Sequence, residues 1–314
     1  MPETFLVTGG AGFIGSHLVR RLVGDGKRVR VVDNLSTGNR ARLADLETAI
    51  EFIQGDLADP EVCDRAVRGV EYVLHQAAVP SVQRSVQDPI NTNRANITGT
   101  LNLLESCKKQ GVRRLVFAAS SSAYGNTKEL PKREEMPANP LSPYALQKYV
   151  GERYCQLYYQ LYNLETVCLR YFNVFGPAQG PNSEYSAVIP KFTTRLRKGE
   201  PLIIYGDGEQ SRDFTYIDNV VEANCLALRA PNASGAVVNI GCGERITLNQ
   251  LVQLLEEILA VRAKVDYQPP RSGDVRDSLA DISRAQALLG FQPHVGVKEG
   301  LQKTAEFFSG CRSA

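Results

Sequence analysis

Tyr144 and Lys148 are the residues of this 314-residue chain whose types and spacing most directly suggest chemistry. They lie four positions apart in the run Ser142-Pro-Tyr-Ala-Leu-Gln-Lys148, where a helix should begin because proline suits a first helical turn. On a helix, residues four apart share one face. A cationic neighbour favours the phenolate and lowers the pKa of a tyrosine from its usual value of about 10. Tyr144 is therefore a candidate base for removing a proton from a sugar or alcohol hydroxyl.

The same spacing recurs at Tyr124 and Lys128, so spacing alone does not identify a catalytic pair. Tyr124 is followed by a Gly-Asn pair at 125–126, which is typical of a turn, and its lysine need not share its face. Tyr144 is instead followed by a continuous helical pattern over 145–161. An interfacial tyrosine beside a solvated lysine would show the same spacing, because short motifs often match by chance. The rest of the chain has to decide between the two interpretations.

The composition is that of an ordinary soluble globular protein, with 43% hydrophobic and 22% charged residues. The net charge of +2 gives no general case for a nucleic acid or membrane partner, and no apolar run approaches the length of a membrane span. The seven cysteines are scattered, without a C-x-x-C motif or a cysteine–histidine cluster. This pattern argues against a disulfide framework or a metal site and favours a cytoplasmic protein. The first strand is expected to start by Thr4, which leaves no room for a signal peptide.

A glycine-rich turn near the start of the chain predicts a dinucleotide site. The buried-strand pattern of residues 4–8 is followed by Gly9-Gly-Ala-Gly12-Phe-Ile-Gly15 and then by a helical pattern over 16–23. In such a turn Gly9 permits the tight bend, Gly12 lets a pyrophosphate approach the backbone, and Gly15 lets the helix pack on the strand. The helix N-terminus offers free N–H groups to the phosphates.

Two aspartates at the ends of predicted strands could complete that site. Asp33 ends the strand of residues 28–33 and lies 18 residues after Gly15, where a carboxylate can bind a ribose 2′-hydroxyl. It would repel a 2′-phosphate, so NAD is favoured over NADP. A plain turn residue is the alternative for Asp33. Asp56 either meets the adenine or caps the next helix.

Strand and helix patterns alternate along the first half of the chain. Further strands are expected near 51–54, 71–75, 113–119 and 165–170, and helices near 60–67, 88–109 and 143–162. This alternation predicts an α/β fold, a Rossmann-type doubly wound parallel sheet with a smaller C-terminal substrate lobe. We expect an NAD-binding domain over 1–172, with return segments near 214–241, and a mainly substrate-binding lobe over 173–314, where prolines and glycines become frequent.

Seven ordered segments of the chain carry a family resemblance. They are Thr8-Gly-Gly-Ala-Gly-Phe-Ile-Gly15, His75-Gln-Ala-Ala78, Asn96-Ile-Thr-Gly-Thr100, Ser120-Ser-Ser-Ala-Tyr-Gly125, Pro143-Tyr-Ala-Leu-Gln-Lys148, Arg170-Tyr-Phe-Asn173 and Gly206-Asp-Gly-Glu-Gln-Ser-Arg-Asp213. Along nearly its whole length the chain resembles the extended short-chain dehydrogenases/reductases, and within them it is most similar to the UDP-hexose 4-epimerases.

The resemblance implies a tightly held NAD, a UDP-sugar substrate and three catalytic residues. Tyr144 would take the proton from the sugar 4-hydroxyl, Lys148 would bind the nicotinamide ribose and lower the pKa of Tyr144, and Ser120 would hydrogen-bond the 4-oxygen. A serine-rich turn without function is the alternative for residues 120–122. The cofactor contacts that the resemblance implies are Gly9, Gly12, Phe13, Ile14, Gly15, Asp33, Asn34, Asp56, Leu57, Gln76, Ala77, Ala78, Asn96, Tyr144, Lys148 and Tyr171.

The resemblance also implies a set of substrate contacts, and an ordinary surface role is the alternative for Val188, Arg212, Arg271 and Asp274. They are Arg84, Ser85, Ser121, Ser122, Asn173, Val188, Tyr205, Arg212, Arg271, Asp274 and Ser278. Asn173 would hold the diphosphate or sugar, and the two arginines of the C-terminal lobe would clamp phosphates with their forked donors. His17, His75 and His294 are expected to be structural.

The choice of sugar depends on two positions. Related dehydratases and decarboxylases carry a carboxylate where this chain has Ser121 and Ser122, so epimerisation is the reaction that remains. In the family a tyrosine at the position of Ser278 restricts the pocket to plain hexoses, whereas a small residue admits a 2-acetamido group. The segment Ser81-Val-Gln-Arg-Ser-Val-Gln-Asp-Pro89 is similar to the acetamido-preferring subgroup. The hypothesis is a UDP-N-acetylglucosamine 4-epimerase, with UDP-glucose as a further substrate.

Two other functional classes stay open from the sequence. One is a nucleotide-sugar decarboxylase, dehydratase or reductase on the same scaffold, and the other is a non-catalytic NAD-binding regulator. Relatives pair the helices near 88–109 and 143–162 across a two-fold axis, so a homodimer is expected by analogy. Tyr154, Leu157, Tyr158 and Leu161 could form that interface or face the sheet.

Overall fold

A computed structural model of the chain describes residues 3–180, 188–270 and 275–310. The strands are β1 Thr4–Thr8, β2 Arg28–Asp33, β3 Ile50–Gln54, β4 Tyr72–His75, β5 Arg114–Ser120, β6 Glu165–Tyr171, β7 Val174–Phe175, β8 Leu202–Tyr205, β9 Ser211–Arg212, β10 Thr215–Tyr216, β11 Val237–Ile240, β12 Ile246–Thr247 and β13 Val265–Gln268. The α-helices are α1 Phe13–Gly24, α2 Pro60–Val67, α3 Val82–Gln87, α4 Pro89–Asn93, α5 Gly99–Gln110, α6 Pro143–Tyr162, α7 Val188–Arg197, α8 Ile217–Arg229, α9 Leu248–Leu259, α10 Ser283–Leu289 and α11 Val297–Gly310.

Seven of these strands form one parallel sheet in the order β11-β6-β5-β4-β1-β2-β3. The chain runs outward from β1 through β2 to β3, and then returns to the other side of β1 with β4. Because the direction of winding reverses at this point, a crevice opens beyond the carboxyl ends of β1 and β4. The observed order confirms the predicted Rossmann-type, doubly wound α/β fold.

Each face of the sheet is covered by its own layer of buried apolar side chains. Leu18 of α1 and Val220 of α8 belong to the core on one face, and Cys63 of α2, Leu103 of α5 and Cys155 of α6 belong to the core on the other. The strands are buried on both sides, which is why β1 and β4 consist entirely of buried residues.

Helix α6, which carries Tyr144 and Lys148, begins where the sequence predicts. Ser142 caps it by accepting a hydrogen bond from the Ala145 amide at 3.2 Å, and Pro143 occupies the first helical position. Asn163, in the left-handed conformation at φ 58°, ends the helix. Although α6 has 20 residues, no helix in the described ranges combines the length and apolarity needed to cross a bilayer.

The helix expected near 88–109 is divided in the structure, so that expectation needs correction. A π-helical turn at Arg94–Thr98 separates α4 from α5. The turn directs the Asn96 side chain at the backbone of Val79, whose N–H donates to Asn96 Oδ1 at 2.7 Å. A tertiary contact 17 residues away therefore accounts for the interruption, and the local helical periodicity does not reveal it.

The C-terminal residues add a smaller layer made of three two-stranded sheets, β7 with β10, β8 with β13 and β9 with β12. Asp213 ties this layer together, because its fully buried carboxylate accepts hydrogen bonds from the amides of Cys242, Gly243 and Ala280 at 2.8–3.1 Å. Burial raises the pKa of Asp213 to about 6. Strand β11 then returns the chain to the edge of the main sheet beside β6.

Candidate active site

One cleft of about 780 Å³ lies at the carboxyl ends of the central strands, within the usual size range of small-molecule and cofactor sites. The expected cofactor contacts that line it are Gly9, Gly12, Phe13, Ile14, Gly15, Asp33, Asn34, Asp56, Leu57, Gln76, Ala77, Ala78 and Tyr171. The same cleft is lined by Ser120, Tyr144 and Lys148. The structure therefore brings the nucleotide motif and the three expected catalytic residues into one space.

The glycine-rich turn leaves no room for side chains where it meets its neighbours. A Cβ added at Gly9, whose φ is +65°, would lie 2.7 Å from the Cα of Ala77. A Cβ at Gly15 would lie 2.2 Å from the carbonyl oxygen of Gly9, so α1 can only pack this closely without one. Gly12 precedes α1 and provides no side-chain cap, so the first amides of the helix have no partner within it and lie at the cleft.

The two predicted aspartates lie on the same side of the cleft. The buried carboxylate of Asp33 accepts hydrogen bonds from the amides of Ala11 at 3.0 Å and Leu35 at 2.8 Å. Asp56 accepts from the side chain of Asn34 at 3.2 Å. Asp59 caps α2, so the helix-capping role considered for Asp56 is wrong; the Asp56 carboxylate accepts from the Ala58 amide at 2.9 Å instead.

Ser120, Tyr144 and Lys148 form a connected group on two elements. Ser120 ends β5, while the other two residues lie one turn apart on α6. The Ser120 hydroxyl accepts from the Ser122 hydroxyl at 2.8 Å and is close enough to the phenol of Tyr144 to lower its pKa, and the ammonium of Lys148 donates to the carbonyl of Ala118 at 2.8 Å. Lys148 is only 5% exposed, so it presents a nearly dehydrated cation to the cleft.

The electrostatics of this group differ from the expectation in one respect. Burial raises the pKa of Tyr144, and the hydrogen bond from Ser120 offsets only part of that rise. Burial lowers the pKa of Lys148 to about 8. We expected Lys148 to lower the pKa of Tyr144. In the structure Lys148 has no such effect, because its ammonium donates to the Ala118 carbonyl instead of the phenol.

Two residues expected to touch ligands have their side chains engaged by the protein. Ser85 is fully buried; its hydroxyl donates to the Val82 carbonyl at 2.6 Å and accepts from the Tyr144 amide at 3.0 Å. Asn96 is 3% exposed and donates to Gln147 Oε1 at 2.8 Å. Neither lines the cleft, whereas Arg84 does. Ser85 and Asn96 therefore hold the walls of the site in place.

The remaining expected substrate contacts are not part of the described cleft lining. Ser121 and Ser122 form a short 3-10 turn, Asn173 donates to the Asp213 carbonyl at 3.1 Å, and Val188 begins α7. In the C-terminal layer are Tyr205, Arg212 and Ser278. Arg212 Nη1 and the Ser278 amide both donate to the carbonyl of Ser211, which brings these two residues together. Arg271 and Asp274 lie outside the described residues.

Arg42 is a cleft residue that sequence reasoning missed. Its guanidinium donates to the Ala11 carbonyl at 3.1 Å and to the Ala178 carbonyl at 3.2 Å, and so links the glycine-rich turn to the segment after β7. The available signal was a pair of arginines, 40 and 42, shortly after the Asp33 strand. Across the described ranges, no three histidine, cysteine, aspartate or glutamate side chains come together as metal ligands.

Comparison with known proteins gives consistent results. The pattern of the NAD dependent epimerase/dehydratase family matches residues 5–241. A putative UDP-glucose 4-epimerase from Methanocaldococcus jannaschii is 40% identical over 304 residues, 96% of this chain and 97% of that protein.

Two solved structures superimpose closely on this fold. UDP-glucose 4-epimerase with UDP-glucose from Thermotoga maritima has a TM-score of 0.94 and 41% identity, over 98% of this chain and 99% of that one. UDP-N-acetylglucosamine 4-epimerase from Methanobrevibacter ruminantium, in complex with UDP-N-acetylmuramic acid, has a TM-score of 0.94 and 39% identity, over 99% of each chain. The cleft and these matches together show that the chain belongs to the NAD dependent epimerase/dehydratase family, within the extended short-chain dehydrogenases/reductases.

Proposed function

We propose that this protein inverts the configuration at C4 of a UDP-hexose, with UDP-N-acetylglucosamine as the preferred substrate and UDP-glucose as a second one. The observation that carries the proposal is the meeting of Ser120, Tyr144 and Lys148 in the cleft that also holds the glycine-rich turn. The relatives named above act on these two UDP-sugars, which supports the choice of substrate class.

The residues of the cleft fit NAD. The uncapped amides of α1 are suited to the diphosphate, and the tight packing at Gly9 and Gly15 sets the shape of the turn that precedes them. Asp33 lines the cleft, where its carboxylate can accept a ribose hydroxyl but repels a 2′-phosphate. When bound, NAD would supply the reversible hydride-transfer chemistry that the reaction needs at C4 of the sugar.

The protein's own groups move one proton and hold the sugar. Tyr144, as phenolate, accepts the proton of the sugar O4–H, and the C4–O4 single bond becomes a carbonyl as C4 loses hydride. Ser120 orients O4 through a hydrogen bond. Lys148, whose ammonium is held on the Ala118 carbonyl at 2.8 Å, would bind the nicotinamide ribose of the cofactor. After the 4-keto sugar has turned its other face to the cofactor, Tyr144 returns the same proton to O4, so no net oxidation results.

Among the described residues, the cleft has none of the acids that elimination or decarboxylation would use. Its carboxylates within the described part of the chain are Asp33 and Asp56, which both lie at the ends of strands on the glycine-turn side. The turn after Ser120 is Ser-Ser-Ala-Tyr. A dehydratase or decarboxylase needs a further proton donor or acceptor beside the sugar, so simple epimerisation fits these residues best.

The direct test is to incubate the purified protein with UDP-N-acetylglucosamine or UDP-glucose, without added NAD, and to identify the products by NMR. We expect the C4-inverted sugar from both, because NAD is retained and regenerated in each turnover. Tyr144→Phe should reduce the rate by about a hundredfold to ten-thousandfold, because it removes the proton acceptor.

Tyr149→Phe is the matched control for this test, since it removes a hydroxyl from the same helix at a half-buried position outside the cleft. It should leave the rate unchanged. Absence of C4-inverted product from any UDP-hexose, or full activity of Tyr144→Phe, would contradict the proposed reaction.

The pH dependence of kcat should follow the titration of Tyr144. The phenolate fraction of Tyr144 grows with pH, and because burial raises its pKa, kcat should still be increasing from neutral into alkaline pH. The hydrogen bond from Ser120 lowers that pKa, so Ser120→Ala should move the acidic limb of the profile to higher pH. An unchanged limb in Ser120→Ala would show that this hydroxyl does not act on the base.

Ser278 should control which sugars enter. Its amide is fixed on the Ser211 carbonyl at 3.1 Å, next to Arg212, so a larger side chain at this position cannot move away with the backbone. Ser278→Tyr should lower kcat/KM for UDP-N-acetylglucosamine by at least about tenfold and affect UDP-glucose little, because only the former carries a 2-acetamido group. Ser278→Ala, which stays small, is the control. Equal losses for both sugars would exclude a selective gate.

We also propose that the protein is a cytoplasmic homodimer. Leu146, Leu157 and Leu161 occupy one face of α6 and are 49%, 39% and 65% exposed, and Val86 and Ile90 nearby are 62% and 80% exposed. Tyr158 is instead buried and Tyr154 packs on the core, so these two tyrosines face inward. An exposed apolar surface of this kind is typical of an interface.

The six cysteines within the described ranges are free thiols, which suits the cytoplasm.

The dimer can be tested by analytical ultracentrifugation of Leu157→Glu/Leu161→Glu. Two carboxylates in an apolar interface are costly to bury, so this variant should sediment as a monomer while the wild type sediments as a dimer. Phe307→Glu on α11, at a residue with the same 39% exposure as Leu157, is the control and should remain dimeric. A monomeric wild type, or a dimeric double variant, would refute this interface.

A further inference from the structure

Arg170 and Glu152 form a buried ion pair directly behind the catalytic group. Arg170 Nε and Nη2 donate to the two carboxylate oxygens of Glu152 at 2.8 and 2.7 Å, and the side chains are only 5% and 2% exposed. Neither residue lines the cleft, and the reaction proposed above uses neither. Two paired charges in the core therefore need an explanation other than contact with substrate.

Glu152 lies on the same side of α6 as Tyr144 and Lys148. Tyr144, Lys148 and Glu152 are spaced by four residues each, so they lie along one side of the helix. The helix sits tightly on β5 at this level, since a Cβ at Gly151 would lie 2.6 Å from the Phe117 ring. The ion pair thus fastens α6 to β6 one turn beyond Lys148.

The guanidinium of the same pair also contacts the turn that follows Ser120. Its carbon lies 4.7 Å from the centre of the Tyr124 ring, and the Tyr124 hydroxyl donates to Asn239 Oδ1 at 2.7 Å. Tyr124 ends the 3-10 turn that begins directly after Ser120. In the sheet, Arg170 pairs with Ala119, the residue just before Ser120. The edge of the guanidinium therefore binds Glu152 of the helix that carries Tyr144 and Lys148, and its flat face packs on Tyr124 of the turn after Ser120.

Stability alone is a poor explanation for this arrangement. Nη1 of Arg170 has no hydrogen-bond partner among the described residues, so one buried donor stays unsatisfied. Replacing a buried ion pair with apolar residues of similar volume is often neutral or stabilising. What apolar residues cannot reproduce is a forked, planar contact that fixes the relative position of two elements.

We propose that Arg170 and Glu152 are positioning residues, which set the distance and orientation between Ser120 on β5 and the Tyr144–Lys148 pair on α6. They act through other residues and touch neither substrate nor cofactor. Because small misplacements of catalytic groups reduce rates strongly, the pair should influence kcat and the titration of Tyr144 while leaving substrate affinity nearly unchanged. The inference rests on the proposed epimerisation for its kinetic readout.

A control pair is available on β5 and β6, at the opposite ends of these strands. Arg114 at the start of β5 donates to Glu165 at the start of β6 at 2.8 Å, at the edge of the sheet opposite the cleft. Arg114 also donates to the carbonyls of Ala227 and Ala230 at 2.9 and 2.7 Å. Its replacement should therefore cost at least as much stability as that of Arg170, without any link to the catalytic group.

The experiment compares Glu152→Leu/Arg170→Met with Glu165→Leu/Arg114→Met by kcat, KM, NAD content, Tm and the pH profile of kcat. The first double variant should lose about 10- to 100-fold in kcat, keep KM within about threefold, and shift its acidic limb to higher pH. The control should lose Tm but keep kcat within about threefold. An unchanged kcat and pH profile in the first variant, or an equal loss of kcat in the control, would overturn the inference.

Arg170→Lys decides the question if the double variant does not fold, because it keeps the charge but removes the fork and the planar contact. A loss of about tenfold in kcat with retained NAD supports positioning, and wild-type kinetics refute it.

A wild type that inverts no UDP-hexose would contradict the proposed function alone. In that case the ultraviolet difference titration of the Tyr144 phenol, obtained by subtracting Tyr144→Phe, is the readout. If the phenol titrates at the same pH in wild type and Arg170→Lys, positioning is refuted. If it titrates at higher pH in Arg170→Lys, positioning is supported.

Discussion

The architecture depends on the parallel pairing of β1 with β2 on one side and β4 on the other. Parallel strands place all their carboxyl ends at one edge of the sheet, and the reversal of winding at β1 opens that edge into a crevice. The glycine-rich turn, Asp33 and Ser120 all follow or end such strands. Residues more than 100 positions apart therefore meet in one cleft without any direct interaction among them being required.

The fold and most of the nucleotide side of the cleft could be predicted because their signals are local. The apolar run of β1 and the Ser-Pro start of α6 each lie within a few residues of the feature they specify. Ser85 and the π-helical turn at Arg94–Thr98 were not predictable in this way. Ser85 binds an amide 59 residues away, and Asn96 in the π-helical turn binds an amide 17 residues away. A serine or an asparagine that faced a ligand would look the same in the sequence.

The position of the lysine ammonium shows a further limit of pattern reasoning. An i, i+4 spacing places Lys148 beside Tyr144 on the helix, but it does not say where four flexible methylenes carry the charge. In the structure the charge lies on the Ala118 carbonyl, at the same end of β5 that supplies Ser120. The end of β5 therefore positions both Ser120 and the Lys148 ammonium. The geometry of the catalytic group depends on this strand end as much as on the face of α6.

Strand β11 has a consequence for how the chain is made. Until residues 237–240 have been synthesised, β6 is an edge strand whose Val167 and Leu169 already belong to the core. During translation, the N-terminal half therefore exposes an apolar strand edge for as long as some 65 further residues take to emerge. The nascent chain is most vulnerable to aggregation in this interval, and assistance by chaperones would have its greatest effect before the sheet is completed.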